Sequence, residues 1–425
     1  AALNANTSGG YNTAVGSNVM SANTTGDSNV AVGQNALDAN TTASNNVAIG
    51  AAALGANTTG TNNVMVGNSA GDAITTSNNN TGVGHDVLGA NTSGDTNTAM
   101  GSTALNTNTT GSNNVAVGFG ALTANTSAAD NVAVGTASLY VNTTGASNVA
   151  VGSNALQQNT TAGNNTAVGT NALKNNTTGT LNVAVGKDAL NFNTTGDDCT
   201  AVGLDALYAN TTAHDNTAVG SRALDACTTG ATNTSVGKSS MTTCTTGASN
   251  TVMGASAGFG ITTGSNNVAI GHDAMTTVTT GVNNICIGAT SNTQIAGSEN
   301  NIIIGVGISG GENSQFRFGK ASNVVSNEFD TDAAWTRASD IRKKRNIKDD
   351  TLGLEFINDL STKTFQWKPS NEFPKEWDDY NEENKMNLDA VMHGLIAQDV
   401  KSALDKQGVD TFGGWIEGKD GMQNV

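Results

Sequence analysis

The sequence predicts a mainly β protein: a parallel β-roll or β-solenoid of eighteen 17-residue coils, followed by a small α/β domain. The pentapeptide pattern N-[TV]-A-V-G recurs every 17 residues from Asn12 to Asn301, without insertion or deletion. Frequent Gly, Asn and Thr disfavour helix in these repeats. Both prolines and all four tryptophans lie after residue 310, where ordinary globular composition begins. A repeat of constant length in which each unit pairs with its neighbours is typical of a solenoid.

Each repeat reads N-[TV]-A-V-G-x-x-A-L-x-x-N-T-T-G-x-x, and its positions are numbered one to seventeen from the first Asn. Residues two and four alternate with a small residue at three, so they share one face of a short strand. We expect that face to point inward and position three, mostly Ala, to form an outward apolar stripe. Glycine at position five of every repeat suits a corner with positive φ or close backbone approach. A second short strand is expected over positions eight to thirteen.

Two further positions predict the contents of the core. Position nine is usually Leu and position twelve usually Asn, but two repeats carry the pairs Gly71 with Ile74 and Gly258 with Ile261. In these repeats position nine loses its large side chain and position twelve gains one, as expected if both positions point into one core of fixed volume. Position twelve should therefore form a buried, stacked ladder of Asn side chains. Cys227 and Cys244 occupy it in successive coils, either as side-by-side thiols or as a disulfide.

Composition excludes several classes of function. The net charge of −16 argues against a nucleic-acid partner, and no apolar run approaches the ~20 residues of a membrane span. The histidines of the repeats, His85, His214 and His272, stand in different coils without Asp, Glu or Cys at ligand spacing. We therefore expect neither a metal nor a cofactor. The recurring N-T-T triplets are interpreted as structural ladders rather than as glycosylation acceptors.

The chain changes character near residue 311. Residues 1–310 hold 14 acidic and 4 basic residues, whereas residues 311–425 hold 21 and 15. We predict a shaft over residues 1–310, a β cap or linker over residues 311–338, and a separate domain over residues 339–425. Capping is expected because the last coil of a solenoid would otherwise expose its core and its strand edge.

Two resemblances follow from these motifs. The N-T-A-V-G repeats resemble the left-handed parallel β-roll repeats in the heads of trimeric autotransporter adhesins and, more closely, the repeat shafts of phage tail fibres. Three C-terminal stretches, SDIRKKRNI from Ser339, LGLEFINDLSTKTFQWK from Leu352 and HGLIAQDV from His393, resemble the C-terminal intramolecular chaperone of phage tailspikes, tail fibres and endosialidases. Together the resemblances imply a homotrimer that this domain helps to fold.

The chaperone resemblance also implies self-cleavage between Ala338 and Ser339, with Ser339 as nucleophile and Lys344 as its base. A serine hydroxyl needs a base to take its proton, and lysine serves only when neutral, a form that neighbouring cations favour. Lys343 stands where the family is more often apolar, so it is the alternative base. The long C-terminal helices of the family are also absent from this sequence, which ends in GMQNV.

The expected function is a trimeric phage tail fibre or spike shaft for host attachment, located on the virion tail or otherwise extracellular. Its partners would be a glycan or protein receptor on the host cell and other tail proteins. Its only catalysis would be a single serine–lysine cleavage of its own chain. The alternative is a bacterial surface adhesin or structural filament with an inactive chaperone-like domain. Receptor contacts are expected at variable positions of the repeat, such as Tyr140, Phe192 and Tyr208.

Overall fold

The computed structural model divides the chain into two compact units, Ala1–Arg337 and Ala338–Val425. The structure describes residues 2–310, 313–321, 323–328, 352–375, 382–383, 388–389, 391–409, 416–417 and 423–424.

The first unit contains the predicted parallel β-solenoid, with one short strand in each coil. Every strand pairs in parallel with the strand of the next coil, residue i opposite residue i+17, so that Val149 lies opposite Thr166. This confirms the predicted fold class and repeat register. Strands β1 to β18 are Thr13–Val15, Val30–Val32, Val47–Ile49, Val64–Val66, Thr81–Val83, Thr98–Met100, Val115–Val117, Val132–Val134, Val149–Val151, Thr166–Val168, Val183–Val185, Thr200–Val202, Thr217–Val219, Thr234–Val236, Thr251–Met253, Val268–Ile270, Ile285–Ile287 and Ile302–Val306.

The predicted orientation of the strands is wrong, because position three points inward. From Ala31 to Ile303 its residue is buried in every coil, while positions two and four are half-buried or exposed. In the ninth coil, Ala150 is fully buried in the same core as Ala155 and Leu156, at positions eight and nine. The roll is too narrow for two β-branched side chains to point inward. The small residue therefore fills the core, and the larger residues form the outer face of the sheet.

The expected second strand is also absent from the described coils, where positions six to eleven form successive turns. Positions seven, nine and seventeen adopt positive φ, as in Asn154 at 58°, Leu156 at 49° and Asn164 at 61°. A left-handed residue costs about 1–2 kcal/mol outside glycine, and it interrupts any extended segment. At Leu156 the complete burial of the side chain offsets this cost.

The corner glycine at position five behaves as predicted. Gly152 has φ +136°, and a Cβ atom on it would lie 2.5 Å from the carbonyl oxygen of Gly169 in the next coil. Both the backbone conformation and the coil spacing therefore require glycine at this corner.

The exchange of bulk between positions nine and twelve is confirmed. A Cβ atom on Gly71 would lie 2.9 Å from Cδ1 of Ile74 and 3.0 Å from Cγ of Met65. Ile74 and Met65 are both fully buried, so they fill the space that leucine occupies in other coils. The core of each coil thus keeps its volume while its composition changes.

Two buried Asn ladders run along the solenoid. The predicted ladder at position twelve is confirmed, since Asn159 Nδ2 donates to Asn142 Oδ1 at 2.8 Å and to the carbonyl oxygen of Ala162 at 2.9 Å. The second ladder, at position one, was missed. There Asn148 Nδ2 donates to the same Ala162 carbonyl, also at 2.9 Å. The signal for it was present in the sequence, because position one is Asn in every repeat except Cys199.

The sheet continues past the last coil into a hairpin. Strand β19, Gln315–Lys320, pairs in parallel with β18, and β20, Asn323–Glu328, pairs antiparallel with β19. Arg317 lies opposite Ile303, so a cation replaces the apolar residue of position three at the end of the core. Burial lowers the pKa of Arg317. The antiparallel strand ends the parallel stacking of coils.

The second unit is small and mixed. Its elements are helix α1 at Leu354–Asp359, strand β21 at Lys363–Phe365, a 3-10 turn at Ser370–Glu372, strand β22 at Met392–Gly394, helix α2 at Ala397–Lys406, and strands β23 at Ile416–Glu417 and β24 at Gln423–Asn424. Strands β21 and β22 pair antiparallel, as do β23 and β24. Among the residues that the structure describes, no helix is long and apolar enough to cross a membrane.

Candidate functional site

The described core of the second unit is formed between its two helices. Phe356 of α1 packs with Val400, Ala403 and Leu404 of α2, and all four are at most 6% exposed. The apolar residues of α2 recur at spacings of three and four, so they share one helix face. This small cluster holds the two helices together.

The structure brings the second and third C-terminal motifs together. The motif from Leu352 covers α1 and β21, and the motif from His393 covers the end of β22 and the start of α2. Thr364 of β21 lies directly opposite His393 of β22. Lys363 Nζ lies 3.7 Å from Asp399 Oδ2, an ion pair that joins β21 to α2. The two motifs therefore form one folded body.

A second ion pair joins the helices on the surface, where Lys406 Nζ lies 3.2 Å from Asp359 Oδ1. Both side chains are substantially solvent-accessible, so this pair contributes at most about 1 kcal/mol. The apolar cluster accounts for more of the unit's stability than its ion pairs do.

The predicted cleavage residues Ala338 and Ser339 and both candidate bases, Lys343 and Lys344, lie outside the described residues. The roles assigned to them stay predictions.

A comparison with protein families finds one match. Together, the described elements define a β-solenoid followed by a small, separate α/β unit. Residues 339–409 of that second unit match the family described as chaperone of endosialidase. The match begins at Ser339 and includes all three C-terminal motifs. Solenoid and match together fit a tail fibre with a C-terminal chaperone. No curated protein sequence matches the chain.

The solenoid itself offers a long, flat outer face. Position four is Val, Ile or Met in every coil, and several of these side chains are more than one third exposed, including Ile49, Met100 and Met253. Position two, which is Val, Thr or Ile, lies beside it on the same face. A contiguous apolar strip of this length is unusual on a monomeric protein and is typical of an interface.

The histidines of the solenoid each lie near one carboxylate. His85 lies 3.1 Å from Asp86 and His272 lies 3.0 Å from Asp273, each pair being adjacent in sequence. His214 lies 3.5 Å from Asp197 of the preceding coil. Among the described residues, no group of three or more His, Cys, Asp or Glu side chains is placed to hold a metal. These pairs are exposed surface contacts.

The four cysteines are free thiols and are buried. Of the two alternatives for Cys227 and Cys244, the structure favours side-by-side thiols. A hydrogen bond with Cys244 and burial raise the pKa of Cys227. Burial likewise raises the pKa of Cys199 to about 11 and that of Cys286 to about 12. Buried, protonated thiols are poor nucleophiles, so these cysteines are core residues rather than reactive ones.

The Asn residues of the N-T-T triplets stand at position twelve and are completely buried, as at Asn142 and Asn159. A glycan on such an amide would displace the ladder, so in the folded solenoid these triplets are structural. Their threonines contribute as well. Thr143 Oγ1 donates to the carbonyl oxygen of Thr160 in the next coil at 3.0 Å.

Two of the three aromatic residues singled out from the sequence lie in contact. Phe192 and Tyr208 form an edge-to-face pair with ring centroids 5.0 Å apart and an interplanar angle of 88°. Both rings remain exposed, by 45% and 36%. Tyr140 is also exposed but lies several coils away. The signal for the contact was the spacing of 16 residues, which places the two side chains at positions eleven and ten of successive coils.

Proposed function

We propose that this chain is the shaft of a trimeric phage tail fibre or spike that serves host attachment, and that its C-terminal unit is an intramolecular chaperone that cuts itself free. The observation that carries the proposal is the order of the parts. Along the chain, a solenoid of parallel coils and its terminal hairpin are followed by the segment that matches the chaperone of endosialidase. A stack of parallel coils exposes an unpaired strand edge while it forms, so a dedicated folding domain at its end suits it.

The proposed cleavage is a single turnover at the bond between Ala338 and Ser339. Lys344, in its neutral form, takes the proton of the Ser339 hydroxyl, and the oxygen attacks the carbonyl carbon of Ala338. The amide becomes an ester and the proton passes to the freed amine. Water then hydrolyses the ester, leaving a new carboxyl terminus at Ala338 and restoring the Ser339 hydroxyl.

The test compares the full-length protein with its Ser339→Ala and Lys344→Ala variants by denaturing gel and intact mass. We expect the parent chain to split between Ala338 and Ser339 and both variants to stay whole. Lys343→Ala is the matched control, since it removes a neighbouring cation and should leave cleavage intact. If Lys343→Ala blocks cleavage and Lys344→Ala does not, the base is Lys343. A parent that never splits would reject the self-cleavage.

The proposed trimer interface is the outer face of positions two and four. Its strip is roughly 85 Å long and about 10 Å wide, at about 4.8 Å per coil and 3.3 Å per residue. That gives on the order of 800 Å² per chain, which is what each partner buries in a stable protein–protein interface of ordinary size. Because every coil repeats the same side chains, parallel copies in register would match along the whole strip.

The alternative function, a bacterial surface adhesin or structural filament with an inactive chaperone-like unit, is favoured by the same solenoid. It differs in one prediction, because its full-length chain would form the fibre without cutting. The cleavage test above therefore separates the two.

A further inference from the structure

We propose that the C-terminal end of the solenoid is a clamp that holds three chains together after the C-terminal unit has been cut away. The clamp consists of coils sixteen to eighteen, with strands β16 to β18, and of the hairpin β19–β20. Its partner is the same segment of the other two chains. The inference rests on the proposed trimer and deepens it, because it names the part of the outer face that contributes most to the contact.

The outer face carries its largest aliphatic side chains in the last three coils. Positions two and four contain six isoleucines along the whole solenoid, and five of them lie in coils sixteen to eighteen. They are Ile270, Ile285, Ile287, Ile302 and Ile304. In coils twelve to fifteen, position two is Thr each time. Contact between chains should therefore bury more apolar surface per coil at the end of the solenoid than before it.

The hairpin continues this face beyond the last coil. Phe318 of β19 lies opposite Ile304 of β18, and Val325 of β20 lies opposite Phe318. Paired residues of neighbouring strands lie on the same face of a sheet, so these three side chains share the outer face. They are 41%, 40% and 37% exposed. Arg317 lies opposite the buried Ile303 on the inner face, so the face toward solvent stays apolar.

The hairpin also widens the face. Strands β18 to β20 contain five or six residues, whereas each strand from β1 to β17 contains three. At about 3.3 Å per residue, the face grows from about 10 Å to roughly 17–20 Å across. Within it the rings of Phe316 and Phe318 have centroids 5.7 Å apart and an interplanar angle of 53°. Large aromatic side chains are typical of the residues that dominate the energy of an interface.

Further copies of the same segment are the partner that fits this face. In a parallel trimer around an axis along the solenoid, each residue meets its own copies at the same height. Apolar side chains pack against their own copies without the repulsion that like charges would cause. The charged residues Lys320 and Glu328 stand at the ends of β19 and β20, at the border of the face. The clamp is also continuous with the strip of positions two and four.

The place of the clamp in the chain gives it a role after cleavage. The whole clamp, residues 267–328, precedes the proposed cut between Ala338 and Ser339. Contacts that the C-terminal unit makes between chains are lost with that unit, whereas the clamp stays with the shaft. It would therefore hold together the end of the solenoid that the cut releases, since the ends of a stack open more readily than its middle.

The experiment measures the exchange of chains between trimers of the full-length protein. Isotope-labelled and unlabelled protein are mixed, and the mixed trimers are followed by native mass spectrometry. The clamp variant Ile270→Thr/Ile287→Thr/Ile304→Thr keeps β-branched side chains in the strands but removes apolar surface at position four. We expect its chains to exchange at least about thirtyfold faster than those of the parent, as for the loss of a central interface contact.

The matched control is Val202→Thr/Val219→Thr/Val236→Thr, which makes the same kind of change at position four of coils twelve to fourteen. Its exchange should accelerate by less than about tenfold, because contacts outside the centre of an interface contribute little. Hydrogen exchange of the first ten coils shows whether each variant keeps the solenoid. If the clamp variant does not fold, Phe318→Thr takes its place. It changes one side chain outside the repeated coils and should accelerate exchange about tenfold or more.

Native mass and gel analysis of the same samples keep the two proposals apart. Equal exchange rates in the clamp variant and the control, including no exchange in either, would overturn the clamp while leaving a trimeric parent in place. A parent with the mass of one chain would reject the proposed trimer itself. A parent trimer that is never cut, but whose chains exchange faster in the clamp variant alone, would support the clamp and reject the self-cleavage.

Discussion

At the scale of single residues, the buried side-chain amide of Asn148 forms hydrogen bonds with three other groups at once. Asn148 Oδ1 accepts the backbone N–H of Asn165 at 3.0 Å, and its Nδ2 donates to the Ala162 carbonyl at 2.9 Å and to Asn131 Oδ1 at 3.2 Å. Partners from the preceding coil and the following coil are thus satisfied by one side chain. Deep burial makes each of these hydrogen bonds hard to replace with water.

We expect Asn148→Ala to destabilise the ninth and tenth coils by on the order of 3 kcal/mol, because it leaves buried groups without partners. Hydrogen exchange of the amides in those coils should accelerate accordingly. Gln158→Ala is the control, since Gln158 is exposed in the same coil. Equal hydrogen-exchange protection in the Asn148→Ala and Gln158→Ala variants would contradict the stabilising role of the Asn ladder.

Cys199 shows how far the ladder at position one tolerates change. Its Sγ lies 3.3 Å from the Ala213 carbonyl oxygen, the group that an Asn amide would contact, but a thiol is a weaker donor. One hydrogen bond to the preceding coil is kept by the backbone, as Cys199 N donates to Asn182 Oδ1 at 3.0 Å. The substitution therefore weakens the ladder at one step without breaking the register.

At the scale of one coil, packing volume decides which residues are compatible. Met65 at position three is fully buried and extends toward Gly82, the residue at position three of the next coil. A Cβ atom on Gly82 would lie 2.5 Å from the Met65 sulfur. The glycine is therefore explained by its neighbour's size and not by its own backbone.

Gly82→Ala should destabilise the solenoid by about 1–3 kcal/mol through overpacking, and Met65→Ala should do so by about 2–5 kcal/mol by leaving a cavity. In the double variant the methyl group added at position 82 fills part of the cavity left at position 65. The loss of stability should therefore be well below the sum of the two single losses. Thermal unfolding of all three variants measures the coupling.

Gly297→Ala is the control for this set, because its Cβ would lie 3.6 Å from Thr280 Oγ1, an ordinary contact. It should change stability little. Strictly additive costs at Met65 and Gly82 would show that the two positions do not share a core.

At the scale of the whole molecule, the outer strand face is the feature that a single solenoid leaves unexplained. Val134, Val151 and Val168 stand at position four of three successive coils and lie on that face. Such β-branched residues suit a sheet that packs against another sheet. Their exposure in one chain is the reason for assigning the interface here.

Replacing Val134, Val151 and Val168 together by Lys should prevent trimer formation or lower its melting temperature strongly, because it would bury three unpaired cations per chain. Light scattering after size-exclusion chromatography gives the native mass.

The control for the interface replaces three exposed threonines of the same coils by Lys, namely Thr144, Thr161 and Thr178. This set should keep the mass of three chains. A valine set that also keeps the trimer and its stability would place the interface elsewhere.

The sequence by itself determined the coil length, the parallel register, the glycine corner and the shared core of positions nine and twelve. These follow from a 17-residue period held without slippage and from compensating substitutions, as at Gly71 and Ile74. It also located the chaperone motifs, because they are local and specific. Neither inference needs the path of the chain within a coil.

Only the tertiary structure decided which strand face is buried, because a period of two separates two faces without saying which one meets the core. In the ninth coil the buried face places Ala150 in one core with Ala155 and Leu156, and the larger residues at positions two and four lie on the other face. It also decided that the other side of the coil is turns, since positive φ at residues such as Leu156 has no clear sequence signal. The contact of Phe192 with Tyr208 likewise follows only once the coils are stacked.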